Sequence, residues 1–233
     1  MALPPQDSAS FEREVDENLR RDQLADFGKK YGRWIAIAVV LFLAAAAAII
    51  WYGERRDSKA AEHSEELAKI HTALANGEKD GLADRLVTLA DESDGATSAA
   101  AMLTEAAIAV EGGDRDRAVE LYKTLAADDD LPAPYRDVAL LRQTMLDFDR
   151  VEPAEVIARL QPLAKPGEPF FGTAGELTAI AMLKLDRKAD AGKLFASIAE
   201  DETVPATLRS RAVQIAGTLG VDATAALPQS QNQ

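Results

Sequence analysis

The chain has no cysteine among its 233 residues. This excludes a disulfide framework, a thiolate metal site and a cysteine nucleophile. It has only two histidines and 6% aromatic residues. Zinc-protease, hydrolase-elbow, phosphate-loop and dinucleotide motifs are also missing, so no active site is legible, no enzyme is expected and no cofactor is implied. Convincing strand alternation is absent too, and Ala and Leu dominate the 47% hydrophobic fraction. Those residues favour helix, whereas β-branched and aromatic residues favour strand, so the fold class is all-α. Basic charge is in deficit. The formal charge is −13, with residues 53–233 holding 32 acids against 20 bases. A surface of that sign cannot neutralise phosphates, which argues against nucleic acid and leaves proteins or basic segments as partners.

What the chain does have is one uninterrupted apolar run. Residues 34–52 carry no charge, glycine or proline. At about 1.5 Å per residue they reach roughly 28 Å, close to the roughly 30 Å hydrocarbon core of a bilayer. Trp34 stands at one end, Trp51 and Tyr52 at the other, where amphipathic rings prefer the interface. Arg33 flanks the first end, and Arg55 and Arg56 the second. A cleaved signal peptide would have a shorter apolar region ending in small residues. Here Ala44–Ala48 leads into Ile49, Ile50, Trp51 and Tyr52, so an uncleaved anchor in the lipid bilayer is expected. Five Lys and Arg precede the run within about 20 residues and four follow it, a margin that leaves orientation open.

The expected organisation is a tail over 1–33, the transmembrane helix over 34–52, a helical domain over 53–220 and a disordered tail over 221–233. Residues 1–10 read as disordered. Phe11, Val15, Leu19 and Phe27, with Leu24 beside them, outline an amphipathic helix over 11–31, either lying on the membrane or simply solvated. Beyond the span, a helix is expected over 58–76 with Leu67, Ile70 and Leu74 as its apolar stripe, then a second over 81–91.

The domain contains an internal repeat. GDRDRAVELYKTLAADDDLPAPYRDVAL from Gly113 overlays DRKADAGKLFASIAEDETVPATLRSRAV from Asp186 at an offset of 73. Ala118 meets Ala191, Tyr122 meets Phe195, Ala126 meets Ala199, Pro132 meets Pro205 and Arg136 meets Arg209. Half of 73 predicts a middle unit, placed at an offset of 36 with Ala154 and Ile157 opposite Ala118 and Leu121, and closed by Pro169. The small-x3-aromatic-x3-small spacing (Ala118, Tyr122, Ala126; Ala191, Phe195, Ala199) resembles the second-helix signature of the tetratricopeptide repeat. That resemblance implies a degenerate α-solenoid whose two-helix units bury their apolar faces by stacking. It also implies a concave binding face on the first helices, near 97–110, 135–148 and 170–183. Arg136, Arg142, Gln143, Phe170 and Phe171 are the candidate protein-binding residues there.

The order of features resembles one bacterial family. ENLRRDQLADFGKKYGRW before the span, basic residues after it and the GGDRDRAVELYKTL turn-helix resemble the ancillary subunits of the Sec translocon, over about residues 17–219. The resemblance implies a noncatalytic inner-membrane scaffold with its N-terminus cytoplasmic and its repeats periplasmic. Its implied partners are Sec translocon subunits and periplasmic chaperones. The alternative is a scaffold for envelope assembly or cell division, homodimeric through the small-x3-small pair Ala44 and Ala48.

The remaining polar clusters read as structural. His63 and His71 lie eight apart beside Leu67, with only Glu62 or Glu66 as further metal ligands. Asp128-Asp129-Asp130 lacks the spacing and closing Glu of an EF-hand. Asp147 and Asp149 have no partner base or nucleophile.

Overall fold

The computed structural model describes residues 6–226, with side chains from Lys29 onward apart from Ile35. The chain divides into two compact units, residues 1–59 and 60–233. All regular structure among the described residues is helical. α1 (Gln6–Ala75) is followed by α2 (Leu82–Glu92), α3 (Gly95–Glu111), α4 (Arg115–Ala127) and α5 (Ala133–Asp147). Then come α6 (Pro153–Leu160), α7 (Phe171–Lys184), α8 (Lys188–Glu200), α9 (Ala206–Thr218) and a single 3-10 turn at Thr224–Ala226.

The first unit contains the apolar run. It lies inside α1, which continues without a break to Ala75 rather than restarting near residue 58. The helix also begins at Gln6, so the disorder expected over 1–10 is corrected for 6–10, while residues 1–5 lie outside the described residues. The side chains that would make 11–31 amphipathic are outside them except near Lys29–Tyr31. Along the run Trp34, Leu41, Phe42, Ile49, Trp51 and Tyr52 are all exposed, and none of the apolar window is buried. The helix is long and apolar enough to cross a membrane. A helix apolar on every side finds no aqueous solvent for its surface, whereas a bilayer supplies one. The Arg33 guanidinium sits 5.4 Å from the Trp34 ring centroid and that of Arg55 4.7 Å from Trp51. Each pair joins a cation to an interfacial ring, an arrangement attractive in itself.

The second unit is built of helix pairs. α4 packs on α3 and α5, α8 on α7 and α9, and α3 reaches α5 past the intervening α4. The helices start where the sequence supplies caps. Asp114 accepts a hydrogen bond from the Arg117 amide at 3.1 Å, Pro132 and Pro205 precede α5 and α9, and Pro153 opens α6. A proline there loses no helical hydrogen bond, because the first amides have no partner in the helix. Most first helices end alike. The amide three residues past the helix reaches back five residues, as in Asp114 N to Ala109 O at 2.9 Å and Arg187 N to Met182 O at 2.9 Å. This closure needs a left-handed residue, supplied by Gly113 (φ 80°) and, one double period later, by Asp186 (φ 57°).

Four clusters of buried side chains run along the stack: Ile70, Leu82 and Leu86; Ala118, Tyr122 and Leu125; Val156, Leu160 and Leu163; Phe171, Phe195 and Ile198. They correct the register of the middle unit. Val156, Leu160 and Leu163 are buried where Ala118, Tyr122 and Leu125 are buried, while Ala154 and Ala158 are exposed. The offset is therefore 38 rather than 36, and the following one 35. A helix buries one stripe, so its register shows in which side chains are covered, and two residues of slip rotate that stripe to the far side. Phe170, not Pro169, occupies the N-cap position that Pro132 and Pro205 hold elsewhere.

Polar staples cross from unit to unit at about one period. Arg150 pairs with Asp116, Lys184 Nζ lies 2.8 Å from Asp149 and Arg211 2.7 Å from Glu176. The Gly167 amide donates to Asp201 at 3.1 Å. The expected disordered tail is corrected at its start. Ala223 is buried, Val221 and Ala226 pack on the last cluster, and Arg209 donates to Ala226 O at 3.4 Å. Residues 227–233 lie outside the described residues.

Candidate protein-binding groove

Where first helices meet, α3 and α5 leave an open groove of about 530 Å³. Leu103, Ala107 and Val110 rise from α3 at i, i+4, i+7. Val138, Arg142 and Met145 answer from α5 at the same spacing. Such spacing aligns side chains on one helix face. Tyr122 from α4 lines the floor between them. Val110 is 40% exposed and Met145 45%, unusual for large apolar residues in a domain whose other apolar side chains are mostly covered. Burial pushes the Tyr122 phenol above its ordinary value, with the nearby Arg142 charge opposing. Tyr122 therefore stays a neutral hydroxyl, and Glu111 and Arg142 provide the charged groups in the lining. This arrangement can hold an apolar side chain and orient a polar one.

The sequence-nominated binding residues separate in space. Arg142 is exposed and lines the groove. Gln143, its neighbour about 100° further round α5, is only 6% exposed. Phe171 is fully buried in the last core cluster, and Phe170 packs partly buried against the middle one. These three are corrected to core or near-core positions, because adjacent residues on a helix diverge by about 100° and both phenylalanines find apolar neighbours. Arg136 pairs with Asp129 across the α4–α5 turn, and its buried Nε has no hydrogen-bond partner among the described residues. Its counterpart Arg209 donates from Nε to the Ala199 carbonyl at 3.0 Å, closing the end of α8. Arg136 thus occupies a helix-end position. Val110 and Met145 went unnominated, although their i, i+4, i+7 alignment was visible.

The repeat-packing residues sit at the helix interfaces. Ala118, Ala191 and Ala199 are fully buried, Phe195 is 1% exposed and Tyr122 5%, and Ala126 is partly buried. An alanine at these points lets backbones approach, and the ring fills the space between three helices.

The remaining polar clusters have local uses. His71 Nε2 lies 3.0 Å from Thr104 Oγ1. That hydroxyl already donates to Ala100 O at 2.7 Å, so the imidazole nitrogen is the donor. His63 lines a small cleft with Glu66, Asp84 and Arg85. Asp128 accepts from the Asp130 amide at 2.9 Å, an Asx turn ending α4. Asp147 accepts twice from Arg159, at 2.8 and 2.7 Å. Among the described residues no three His, Asp or Glu side chains are grouped to hold a metal ion.

Residues 26–215 match the family model described as the tetratricopeptide repeat-like domain. Comparison with curated proteins and with solved structures gave no match. Domains of this type are typically noncatalytic scaffolds for protein–protein interaction. Paired helices stacked on shared core clusters, with first helices meeting across an open groove, agree with the match, and the chain belongs to the tetratricopeptide repeat-like family.

Proposed function

We propose that the protein is a membrane-anchored, noncatalytic scaffold whose α3/α5 groove binds protein segments. The observation that carries this reading is the pair of exposed apolar side chains, Val110 and Met145, facing each other across a groove floored by Tyr122. Exposed apolar surface in a cleft is maintained at a solubility cost and marks a binding surface. The tail of 1–33, the span of 34–52 and the repeats behind it support a more specific role. In that role the protein is an ancillary factor of the Sec translocon in the bacterial inner membrane. Its N-terminus is cytoplasmic and its repeats periplasmic, handing emerging precursors to periplasmic chaperones.

The test is photo-crosslinking in native membranes from residues 110 and 145. Recovery of channel subunits or periplasmic chaperones, lost in Met145→Glu, is the expected result. Recovery of neither removes the translocon role. Protease protection of residues 60–233 decides the side of the membrane: digestion in intact spheroplasts is expected, and protection there overturns the periplasmic placement. A homodimeric envelope scaffold is the second reading, favoured by Ala44 and Ala48, both exposed on the apolar run. It predicts a dimer in detergent that Ala44→Leu/Ala48→Leu dissociates.

A further inference from the structure

A second groove, of about 690 Å³, lies between the second helices α6 and α8. Its cause is in the sequence. α4 runs 13 residues, Arg115–Ala127, as does α8, Lys188–Glu200, but α6 has only eight, Pro153–Leu160. Pro162 cannot donate to the helix and clashes with the turn before it, so regular helix stops at Leu160. The chain then folds through Gln161–Ala164, placing Ala164 and Lys165 at the end of the groove. Its near side is the outer stripe of α6, Ala154, Ile157 and Ala158, and Met182 and Leu194 supply apolar surface opposite.

Two further features single this groove out. Thr178 lines it, 4% exposed, and its buried Oγ1 has no hydrogen-bond partner among the described residues. A hydroxyl in the middle of a helix ordinarily bonds the carbonyl one turn back, as Thr144 does to Leu140 O at 2.8 Å. The groove is also basic within an acidic domain. Arg187 and Asp190 cancel at 2.9 Å, leaving the exposed Lys165 and Lys193, which pair with no carboxylate among the described residues.

We propose that the α6/α8 groove is a second docking site, taking an acidic peptide segment with apolar anchors from a partner protein. The apolar lining accepts the anchors, Lys165 and Lys193 meet the carboxylates, and Thr178 has an unused hydroxyl for an amide of the guest. Opposite charge at the rim selects partner and speeds encounter, while burial of the anchors supplies affinity. The proposal shares the scaffold reading of the domain but uses a different face, so the two can fail separately.

The experiment uses the full chain in nanodiscs of zwitterionic lipid at low salt, with short labelled peptides that share leucine positions and carry Glu, Gln or Lys between them. The Glu peptide is expected to bind about tenfold or more tighter than the Lys peptide. Lys165→Glu/Lys193→Glu is expected to reverse that order. Ala158→Trp, at an exposed helix position, is expected to weaken the Glu peptide about tenfold, and Met145→Glu in the other groove to leave it unchanged. An order unaffected by the lysine reversal overturns the proposal. So does loss of binding in Met145→Glu with retention in Ala158→Trp. Absence of peptide binding, with Lys165- and Lys193-dependent recruitment to phosphatidylglycerol vesicles, assigns the groove to lipid instead.

Discussion

The α3–α4 and α7–α8 pairs are built alike, and the α5–α6 pair between them solves the same packing problem differently. In the outer pairs a ring, Tyr122 or Phe195, enters the space between helices. In the middle pair Leu160, fully buried, does so. The outer pairs turn through a left-handed residue, Gly113 or Asp186. The matching middle position is Val151, whose branched side chain disfavours that conformation, and its turn closes differently, with Val151 N on Asp147 O at 3.2 Å. The second helix of the outer pairs is capped by Asp128 or Asp201, whereas the middle position is Pro166. There Asp201 of the following pair reaches back to the Gly167 amide instead. A nearly buried ion pair, Arg159 with Asp147, joins α5 to α6. The comparison teaches that a repeat tolerates loss of its signature residues when neighbouring positions take over the same physical task.

The sharpest way to break this comparison is to remove the outer ring. Phe195→Ala should destabilise the second unit by about 4 kcal/mol, the transfer and cavity cost of a buried aromatic. Leu160→Ala should cost less, about 3 kcal/mol, and urea midpoints of the full chain in detergent report both. A Leu160 variant that costs as much as the Phe195 one would show the middle pair to be as tightly packed as the outer ones.

Removing Asp147 tests the substitute staple. Asp147→Ala leaves the mostly buried Arg159 with only Glu155, 2.5 Å away and half-exposed, so a loss of about 2–3 kcal/mol is expected. Asp116→Ala, which breaks only the exposed pair with Arg150, should change the midpoint by less than about 0.5 kcal/mol. Equal effects would reduce the Asp147 pair to surface decoration.

Restoring the ring is the converse test. Leu160→Phe should destabilise by about 1–2 kcal/mol, the cost of overpacking, because Leu160, Val156 and Leu163 are all buried in the middle cluster. A stabilised variant would mean that the middle pair merely lost its ring.

The smallest effect concerns Asp201. Hydrogen bonds from the Thr203 hydroxyl and amide, and then from the Gly167 amide, hold its carboxyl below the ordinary 3.8. A lowered folded-state value means its stabilisation is fully present above the unfolded value and lost as pH falls through the lowered one. Asp201→Asn should therefore lie slightly below the parent protein in stability near pH 7, and the gap should close in acid. A gap constant from pH 7 to pH 2 would show that the carboxylate charge plays no part.

Much of this was legible in residues. The Ala118–Tyr122–Ala126 and Ala191–Phe195–Ala199 spacing announced the outer pairs because helix period and residue size act locally. The middle pair was misplaced by two residues because Val156, Leu160 and Leu163 carry no distinctive chemistry; only their burial reveals the stripe. Gln143 and Phe171 read as binding residues because polarity and aromaticity do not state which side of a helix faces a neighbour. The disordered reading of 221–226 failed for a related reason. Val221 and Ala223 are few and weakly patterned, yet a waiting surface beside Gly192 accepts them, with Val221 Cγ2 only 2.7 Å from where a side chain on that glycine would begin.

By itself the sequence determined that the chain is helical, that residues 34–52 make an apolar helix and that a double repeat lies behind it. Each follows from composition and short-range period, which act through bonds and neighbouring turns. Tertiary structure decided which side chains face one another: the register of α6, the Val110–Met145 groove and the basic groove left by a shortened helix. Those depend on distant segments meeting, and the free energy of a surface is fixed only once its neighbour is in place.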